Sequence, residues 1–113
     1  MKRSIKYYGP RILDFFNTLD QDTIEKIEWT LALIRTLDRI PNKYFKHLSG
    51  TNGLYEIRCD WLGNAIRLFC FFDEGKIVII VHGFKKKTQK TPLKEIQHAL
   101  KIKNGYYEEK KSK

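Results

Sequence analysis

The hydrophobic positions in the first third of the chain predict a short strand followed by two helices. Ser4 to Tyr8 could form a strand that ends at Gly9-Pro10, because this pair favours a turn. From Arg11 onward, apolar residues recur at helical spacing in two stretches separated by a polar break. The two stripes are Ile12, Leu13, Phe15, Phe16 and Leu19, then Ile24, Ile27, Leu31, Ile34 and Leu37.

Capping and breaking residues suggest where the second helix begins and ends. Either Asp20 or Asp22 is suited to cap its first turn, since a carboxylate accepts hydrogen bonds from free amides there. The helix is expected to end near Ile40, because Pro41 disfavours a helical conformation in the residue before it. The two helices are therefore predicted to form a pair.

After a turn-rich stretch the apolar period changes to two, which predicts strands. The segment 54–61 alternates, with one face apolar and the other charged. A tight turn at 62–64 precedes a strand at 65–72, and a hairpin loop at 73–76 leads into the β-branched strand 77–81. The alternating segment places Tyr55, Ile57, Cys59 and Trp61 on one face and Glu56, Arg58 and Asp60 on the other.

A basic loop from Gly83 to Lys90 and a last helix complete the predicted order. Thr91 is expected to cap that helix, with Pro92 at its first position and an apolar face from Leu93 to Leu100. A helical pair packed on a small twisted antiparallel sheet, with a C-terminal helix, is an α+β fold. The length of 113 residues fits one domain over 1–113.

The net charge of +9 is concentrated at one end of the chain. From His82 onward there are ten lysines against three glutamates, so the first 81 residues are close to neutral. This distribution suggests a polyanionic partner, with nucleic acid as the first candidate. We interpret Lys110 to Lys113 as a solvated tail, but not the lysines of 85–90.

Several function classes find no support in the sequence. There is no apolar run long enough for a membrane span and no signal-peptide pattern, so we expect a cytoplasmic protein. Cys59 and Cys70 are expected to be reduced, buried thiols. No metal-ligand spacing, P-loop, GxGxxG or Ser-His-Asp arrangement is present, so no metal or cofactor is expected.

Arg67 is the most informative single residue, because it interrupts an otherwise apolar strand. It must either pair internally, with Glu56 or Asp60 on the neighbouring strand, or emerge on an open face. Arg58 lies on the polar face of the preceding strand, so the two arginines can converge. Their planar guanidinium groups suit phosphate, and the following lysine loop can reach the same surface.

At this point the chain resembles a known family. Three segments carry the resemblance: Gly53-Leu54-Tyr55-Glu56-Ile57-Arg58, Ile66-Arg67-Leu68-Phe69-Cys70-Phe71-Phe72-Asp73-Glu74-Gly75 and His82-Gly83-Phe84-Lys85-Lys86-Lys87-Thr88-Gln89-Lys90-Thr91-Pro92. They resemble the phage-derived HigB-like branch of the RelE/ParE toxin superfamily, over roughly Lys43 to Leu100. The resemblance implies a RelE-like fold and the toxin of a type II toxin–antitoxin pair.

The resemblance also implies partners and site residues. The partners would be a helix-turn-helix antitoxin, and mRNA cut beside ribosomal RNA in the ribosomal A site, by an endoribonuclease that needs no metal. Glu56 stands where some relatives carry a lysine, and the role of a tyrosine near the C-terminus of RelE does not transfer to Tyr106 or Tyr107, which lie beyond the motif. The implied catalytic residues are Arg67, Arg58, Lys85, His82 and His47, with Lys46, Lys86, Lys87 and Lys90 binding RNA.

The implied chemistry is attack of a ribose 2′-hydroxyl on the adjacent phosphorus, which needs charge stabilisation and proton transfer. His82 has a second interpretation as a satisfied core histidine, and we favour it. We expect Arg67→Ala to abolish growth arrest and to leave folding intact. Two other functions stay open: a ParE-like inhibitor of DNA gyrase that cuts no RNA, and a non-enzymatic module that binds RNA or the ribosome.

Overall fold

Within residues 2–112, five strands and three helices make up an α+β fold, as the sequence predicts. The computed structural model describes residues 2–112. Within this part of the chain no helix is long and apolar enough to cross a membrane. The elements are β1 (Ser4–Tyr7), α1 (Pro10–Phe16), α2 (Gln21–Thr36), β2 (Phe45–His47), β3 (Tyr55–Trp61), β4 (Asn64–Asp73), β5 (Ile77–Lys86) and α3 (Leu93–Lys111).

All five strands belong to one sheet with the order β1-β5-β4-β3-β2. Strands β2 to β5 are antiparallel, whereas β1 pairs in parallel with the first half of β5. The sheet is therefore mixed at this edge. The short strand β2 lies in the segment that the sequence suggested was only a connection, because three residues are too few to show a period of two.

The two faces of the sheet are covered by different helices, which separates two hydrophobic clusters. The helical pair α1 and α2 covers one face, around Ile12, Leu31, Ile57, Leu68 and Ile80. Helix α3 covers part of the other face, around Phe69, Phe71, Val81 and Ala99. The charged residues of β3 lie on the α3 face, as the alternation predicts.

Helix α2 is capped by Asp20, whose carboxylate accepts a hydrogen bond from Thr23 N at 2.8 Å. Of the two predicted caps it is the one used. The helix ends at Thr36 rather than near Ile40. Its last carbonyl groups are satisfied by Arg3, whose guanidinium donates to the carbonyl of Ile34 at 2.9 Å. This bond from a distant residue could not be foreseen from the local sequence.

Strand β5 extends to Lys86, so the basic loop predicted from Gly83 begins later than expected. A β-bulge interrupts its pairing with β4: Phe69 lies opposite His82, but Cys70 lies opposite Ile80. Val81 is the extra residue. An extra residue in one strand inverts the alternation of side chains after it, so each later side chain faces the opposite side of the sheet. Beyond the bulge, Lys85 therefore faces the helical pair and Lys86 faces the α3 side.

Helix α3 starts at Leu93 with Pro92 as its N-cap, and no side chain caps it. The prediction that Thr91 caps this helix, with Pro92 at its first helical position, was wrong. The Thr91 hydroxyl instead donates to Glu56 Oε2 at 2.6 Å, which leaves it unavailable to the helix. Cys59 and Cys70 are buried free thiols, as predicted, and burial raises the pKa of both.

The C-terminal half of α3 is anchored on the β4–β5 hairpin. Asp73 accepts a hydrogen bond from the Tyr106 hydroxyl and forms an ion pair with Lys110 Nζ at 2.7 Å. The interpretation of Lys110 as part of a solvated tail was therefore wrong, because the helix continues to Lys111 and turns this side chain towards Asp73. Lys113, which was included in that tail, lies outside the described residues.

Candidate RNA-binding groove

Arg58 and Arg67 lie directly opposite each other on the neighbouring strands β3 and β4. The residues that flank them, Ile57 and Leu68, face the helical pair, so both arginines project from the other face. The predicted convergence of the two arginines is therefore present. It follows from the alternation of side chains along each strand and from the register of the pair.

The arginines line an open basic groove of about 530 Å³. The strands β3 and β4 form its floor, and the end of β5 with the loop after it forms its wall. Four of its seven lining residues are cations. The groove is lined by Arg58, Ala65, Arg67, Lys86, Lys87, Thr88 and Gln89.

Glu56 holds the two arginines together beneath this groove. Its side chain is 2% exposed, and its Oε1 atom lies 3.4 Å from Arg58 Nε and 3.5 Å from Arg67 Nε. Two like charges placed opposite each other on a sheet repel, so a shared carboxylate lowers the free energy of this arrangement. The hydrogen bond from Thr91 to the second carboxylate oxygen ties the loop before α3 to the same group.

Arg67 makes both of the ion pairs that the sequence offered as alternatives. In addition to Glu56, its Nη1 atom donates to Asp60 Oδ1 at 2.8 Å and to the carbonyl of Ile66 at 2.9 Å. Within residues 2–112, Nη2 of Arg67 and both terminal nitrogens of Arg58 make no hydrogen bond. These nitrogens are donors that a phosphate in the groove can use.

Lys85 does not join the arginines. It lies opposite Ile66 on the face of the helical pair, near the Asp20 carboxylate. Hydrogen bonding by Thr23 lowers the pKa of Asp20, and the positive charge of Lys85 contributes in the same direction. The bulge in β5 is the physical reason for this placement, and it brings Lys86 to the groove in place of Lys85.

His82 is 7% exposed and lies under α3. Its Nε2 atom is 3.2 Å from Glu95 Oε1, and its Nδ1 atom is buried without a hydrogen-bond partner in the described part of the chain. Burial lowers the pKa of His82, which favours the neutral ring, although the nearby Glu95 opposes this effect. His82 does not line the groove.

The remaining predicted residues lie outside the groove. His47 is exposed on β2 and packs edge to face with Tyr55, on the face of the helical pair. Lys46 lies opposite Glu56 on the groove face, but on the edge strand. Lys90 is exposed in the loop before α3, where its carbonyl accepts a bond from Thr88 at 2.8 Å. None of the three lines the groove.

The bond between Glu56 and Thr91 is the part of the site that sequence reasoning missed. The two residues are 35 positions apart, and each has a plausible local role, Glu56 as a partner for arginine and Thr91 as a helix cap. Nothing in their spacing indicates the contact. No group of three or more His, Cys, Asp or Glu side chains within residues 2–112 is placed to hold a metal ion.

A sequence profile of one protein family matches residues 14–104 of the chain, and its description is phage-derived protein Gp49-like (DUF891). The chain belongs to the phage-derived Gp49-like family. The match contains every residue that lines the groove and the whole segment that resembles the HigB-like toxins. No curated protein matches the sequence significantly.

Proposed function

We propose that this Gp49-like protein is the toxin of a type II toxin–antitoxin pair and cleaves mRNA in the ribosomal A site. The observation that carries the proposal is the opposed pair Arg58 and Arg67, whose free terminal nitrogens line an open groove. Membership of a phage-derived family supports it, because the matched residues include the segment that resembles HigB-like toxins.

The proposed reaction is a transesterification within the RNA chain. The 2′-oxygen forms a bond to the adjacent phosphorus while the bond from phosphorus to the 5′-oxygen breaks, which leaves a 2′,3′-cyclic phosphate and a 5′-hydroxyl end. The 2′-hydroxyl loses its proton, and the departing 5′-oxygen gains one. Negative charge grows on the phosphorane oxygens, and fixed donors placed there lower the barrier, each by about 3 kcal/mol.

In this proposal Arg58 and Arg67 bind the scissile phosphate, and Lys86 and Lys87 bind the neighbouring phosphates. Lys86 takes the place that the resemblance assigned to Lys85, since it is the lysine on the groove face. The proton-transfer roles of His47 and His82 stay predictions, and neither ring borders the groove.

The proposed partners follow from the same reaction. A cognate antitoxin, of the helix-turn-helix type implied by the resemblance, would suppress the activity, and the ribosome would present the mRNA. We therefore place the active protein in the cytoplasm. The excess of positive charge, +9 in total, favours association with ribosomal RNA.

The test is to induce the protein in cells and map the 5′ ends of transcripts, with Arg58→Gln and the exposed control Lys76→Gln in parallel. We expect codon-linked breaks with the native protein and with Lys76→Gln, and their loss with Arg58→Gln. Intact transcripts accompanied by DNA breaks would overturn the proposal in favour of gyrase inhibition. Intact transcripts and DNA, with the protein bound to ribosomes, would overturn it in favour of a non-enzymatic binding module.

A further inference from the structure

A second basic groove, of about 590 Å³, lies between α1 and α3. Three of its six lining residues are cationic at neutral pH, a fourth is a histidine, and none is acidic. It shares no lining residue with the first groove, the arginine groove that contains Arg58 and Arg67. The second basic groove is lined by Arg11, Lys94, Gln97, His98, Lys101 and Ile102.

The cations of this groove are grouped by helix geometry. Lys94, His98 and Lys101 follow the spacing of one helical stripe on α3, while the stripe around Ala99 packs on the sheet. Arg11, in the first turn of α1, adds its charge from the facing element. Two separate helices therefore direct positive charge into one depression.

These charges are not neutralised by neighbouring acids. Within the described residues, Arg11, Lys94 and Lys101 form no ion pair. The nearest acid along α3, Glu95, contacts His82 instead. In the arginine groove, by contrast, Glu56 and Asp60 offset part of the arginine charge.

The two grooves are close together along the chain. Gln89 lines the arginine groove and Lys94 lines the second basic groove, with only residues 90–93 between them. Thr91 fixes this short connection by its bond to Glu56, the carboxylate that also contacts Arg58. Five residue steps span at most about 18 Å, so an RNA strand of a few nucleotides that leaves the arginine groove past Gln89 can reach Lys94 at the start of α3.

We propose that the second basic groove binds the phosphate backbone of the same RNA, beside the segment that is cut. This inference rests on the proposed function. An acidic segment of a partner protein fits the groove less well, because protein interfaces are enriched in buried aromatic anchors and the lining contains no Trp, Tyr or Phe and one aliphatic residue, Ile102. Phosphates need only the exposed cations that the groove presents.

The test measures binding of a labelled 2′-O-methyl RNA, which cannot be cut because its nucleophile is blocked. Fluorescence anisotropy is recorded with a 12-nucleotide and a 4-nucleotide RNA over a range of salt concentrations. The variant is Lys94→Gln with Lys101→Gln. The matched control removes two exposed lysines at the far end of the molecule, Lys76→Gln with Lys111→Gln.

We expect the Lys94 and Lys101 variant to bind the longer RNA about tenfold more weakly, with a salt slope lower by about 1.4, because each phosphate contact on a single strand contributes about 0.7 to that slope. The 4-nucleotide RNA should bind as tightly as before, and the control should lose much less affinity for the longer one. Equal losses in variant and control, unchanged binding of the longer RNA, or a loss confined to antitoxin binding would each overturn the inference.

Failure of this inference can be told apart from failure of the proposed function. If the variant binds the longer RNA normally and the native protein still cuts transcripts, only the second basic groove is refuted. If the variant binds the longer RNA more weakly but the native protein cuts no transcript, only the nuclease proposal is refuted.

Discussion

Arg58 and Arg67 face each other across neighbouring strands, and one buried carboxylate, that of Glu56, contacts the Nε atoms of both. Each guanidinium contacts Glu56 through its Nε atom, and Arg67 Nη1 is also bonded to Asp60 and to the Ile66 carbonyl. Within residues 2–112, both terminal nitrogens of Arg58 and Nη2 of Arg67 make no hydrogen bond and can donate to a phosphate in the groove. Donors fixed in this way need little reorganisation when negative charge develops on a phosphate. The arrangement combines a stabilising role with the binding role, and these two roles can be separated by substitution.

Substitution of the two arginines should affect folding to different extents. The side chain of Arg67 is 6% exposed with two acidic partners, whereas that of Arg58 is 27% exposed with one. We expect Arg67→Ala to lower the free energy of unfolding by roughly 3 kcal/mol, since it leaves buried charge poorly compensated. Arg58→Ala should lower it by about 1 kcal/mol. Urea denaturation measures both values.

Both arginine variants should lose RNA cleavage, by about 100-fold or more if each guanidinium stabilises the transition state. The buried pair of Arg67 with Glu56 changes the expectation that Arg67→Ala leaves folding intact, so Arg58→Ala is the cleaner test of chemistry. Normal growth arrest by a folded Arg58→Ala protein would contradict the assigned role.

Glu56→Gln should separate binding from catalysis. The neutral amide can still accept the bond from Thr91, but it no longer offsets the arginine charges or fixes their Nε atoms. We therefore expect a lower KM for RNA, because the groove becomes more positive, and a kcat lower by about tenfold, because donor positions become less defined. Steady-state cleavage assays resolve the two constants.

The matched control for Glu56→Gln is Glu25→Gln, which removes an exposed carboxylate on α2. It should leave both constants near the native values. A raised KM with an unchanged kcat in Glu56→Gln would show that the carboxylate does not position the arginines for the reaction.

The sequence allowed the opposed arginines to be predicted because side-chain alternation is a local property. In β3 the alternating residue types mark the two faces, and in the apolar run 65–72 Arg67 is the one charged residue. The convergence of Arg58 and Arg67 therefore needed only the correct pairing. The alternation could not be followed past Val81. The bulge there adds one residue and moves Lys85 to the other face, and nothing in a β-branched run indicates which residue will be skipped.

Long-range contacts are the other features that could not be predicted from the sequence. Thr91 has the residue type and position of a helix cap, yet a carboxylate 35 residues away takes its hydroxyl. The sequence likewise indicates that Lys110 belongs to a lysine-rich tail, whereas in the structure α3 places it beside Asp73. For Thr91 the local preference for capping is worth about 1 kcal/mol, which a hydrogen bond to a charged carboxylate, at about 1.5–3 kcal/mol, can outweigh.

Two glycine substitutions should change stability in opposite directions. Gly83 is buried on β5, and a Cβ atom there would lie 2.4 Å from the ring of Phe15 and 2.9 Å from Leu68. Gly83→Ala should therefore lower the free energy of unfolding by about 2 kcal/mol. Gly105→Ala in α3 meets nothing within 4 Å and should raise it by about 0.8 kcal/mol, since alanine favours the helix.

A double substitution distinguishes steric crowding from a backbone effect at Gly83. If the Phe15 ring causes the loss, Phe15→Leu should recover part of the stability of Gly83→Ala, and urea denaturation of all four proteins gives the coupling. Strictly additive effects of the two substitutions would contradict the proposed contact.

The anchor at Asp73 should make stability depend on pH in the acid range. Hydrogen bonding by Lys110 and Tyr106 lowers the pKa of Asp73 below its unfolded value of about 3.9. The contribution of the ionised Asp73 carboxylate to stability is therefore present above about pH 4 and is lost as the pH falls through the folded pKa. Asp73→Asn should be less stable than the native protein at pH 7, and the difference should shrink below pH 4.

Urea midpoints between pH 2 and 7 test the role of Asp73, with Glu74→Gln as the control. Glu74 is 69% exposed and lies farther from Lys110, at 3.8 Å, so its substitution should have a much smaller effect. A stability difference for Asp73→Asn that stays constant from pH 7 to pH 2 would rule out the ion pair as its source.

His82 should add a second pH dependence, at higher pH. Burial lowers its pKa below the ordinary value of about 6.5; Arg11 and His98 lower it further, and Glu95 opposes them. As the pH falls, the unfolded chain therefore takes up a proton on His82 at a higher pH than the folded chain does. The native state consequently loses stability as the pH drops from about 6.5 through the folded pKa. His82→Gln should flatten this slope between pH 7 and 5, whereas substitution of the exposed His47 by Gln should not. If thermal unfolding shows the same slope for His82→Gln and the native protein, His82 is not held neutral by burial, and the interpretation as a core histidine fails.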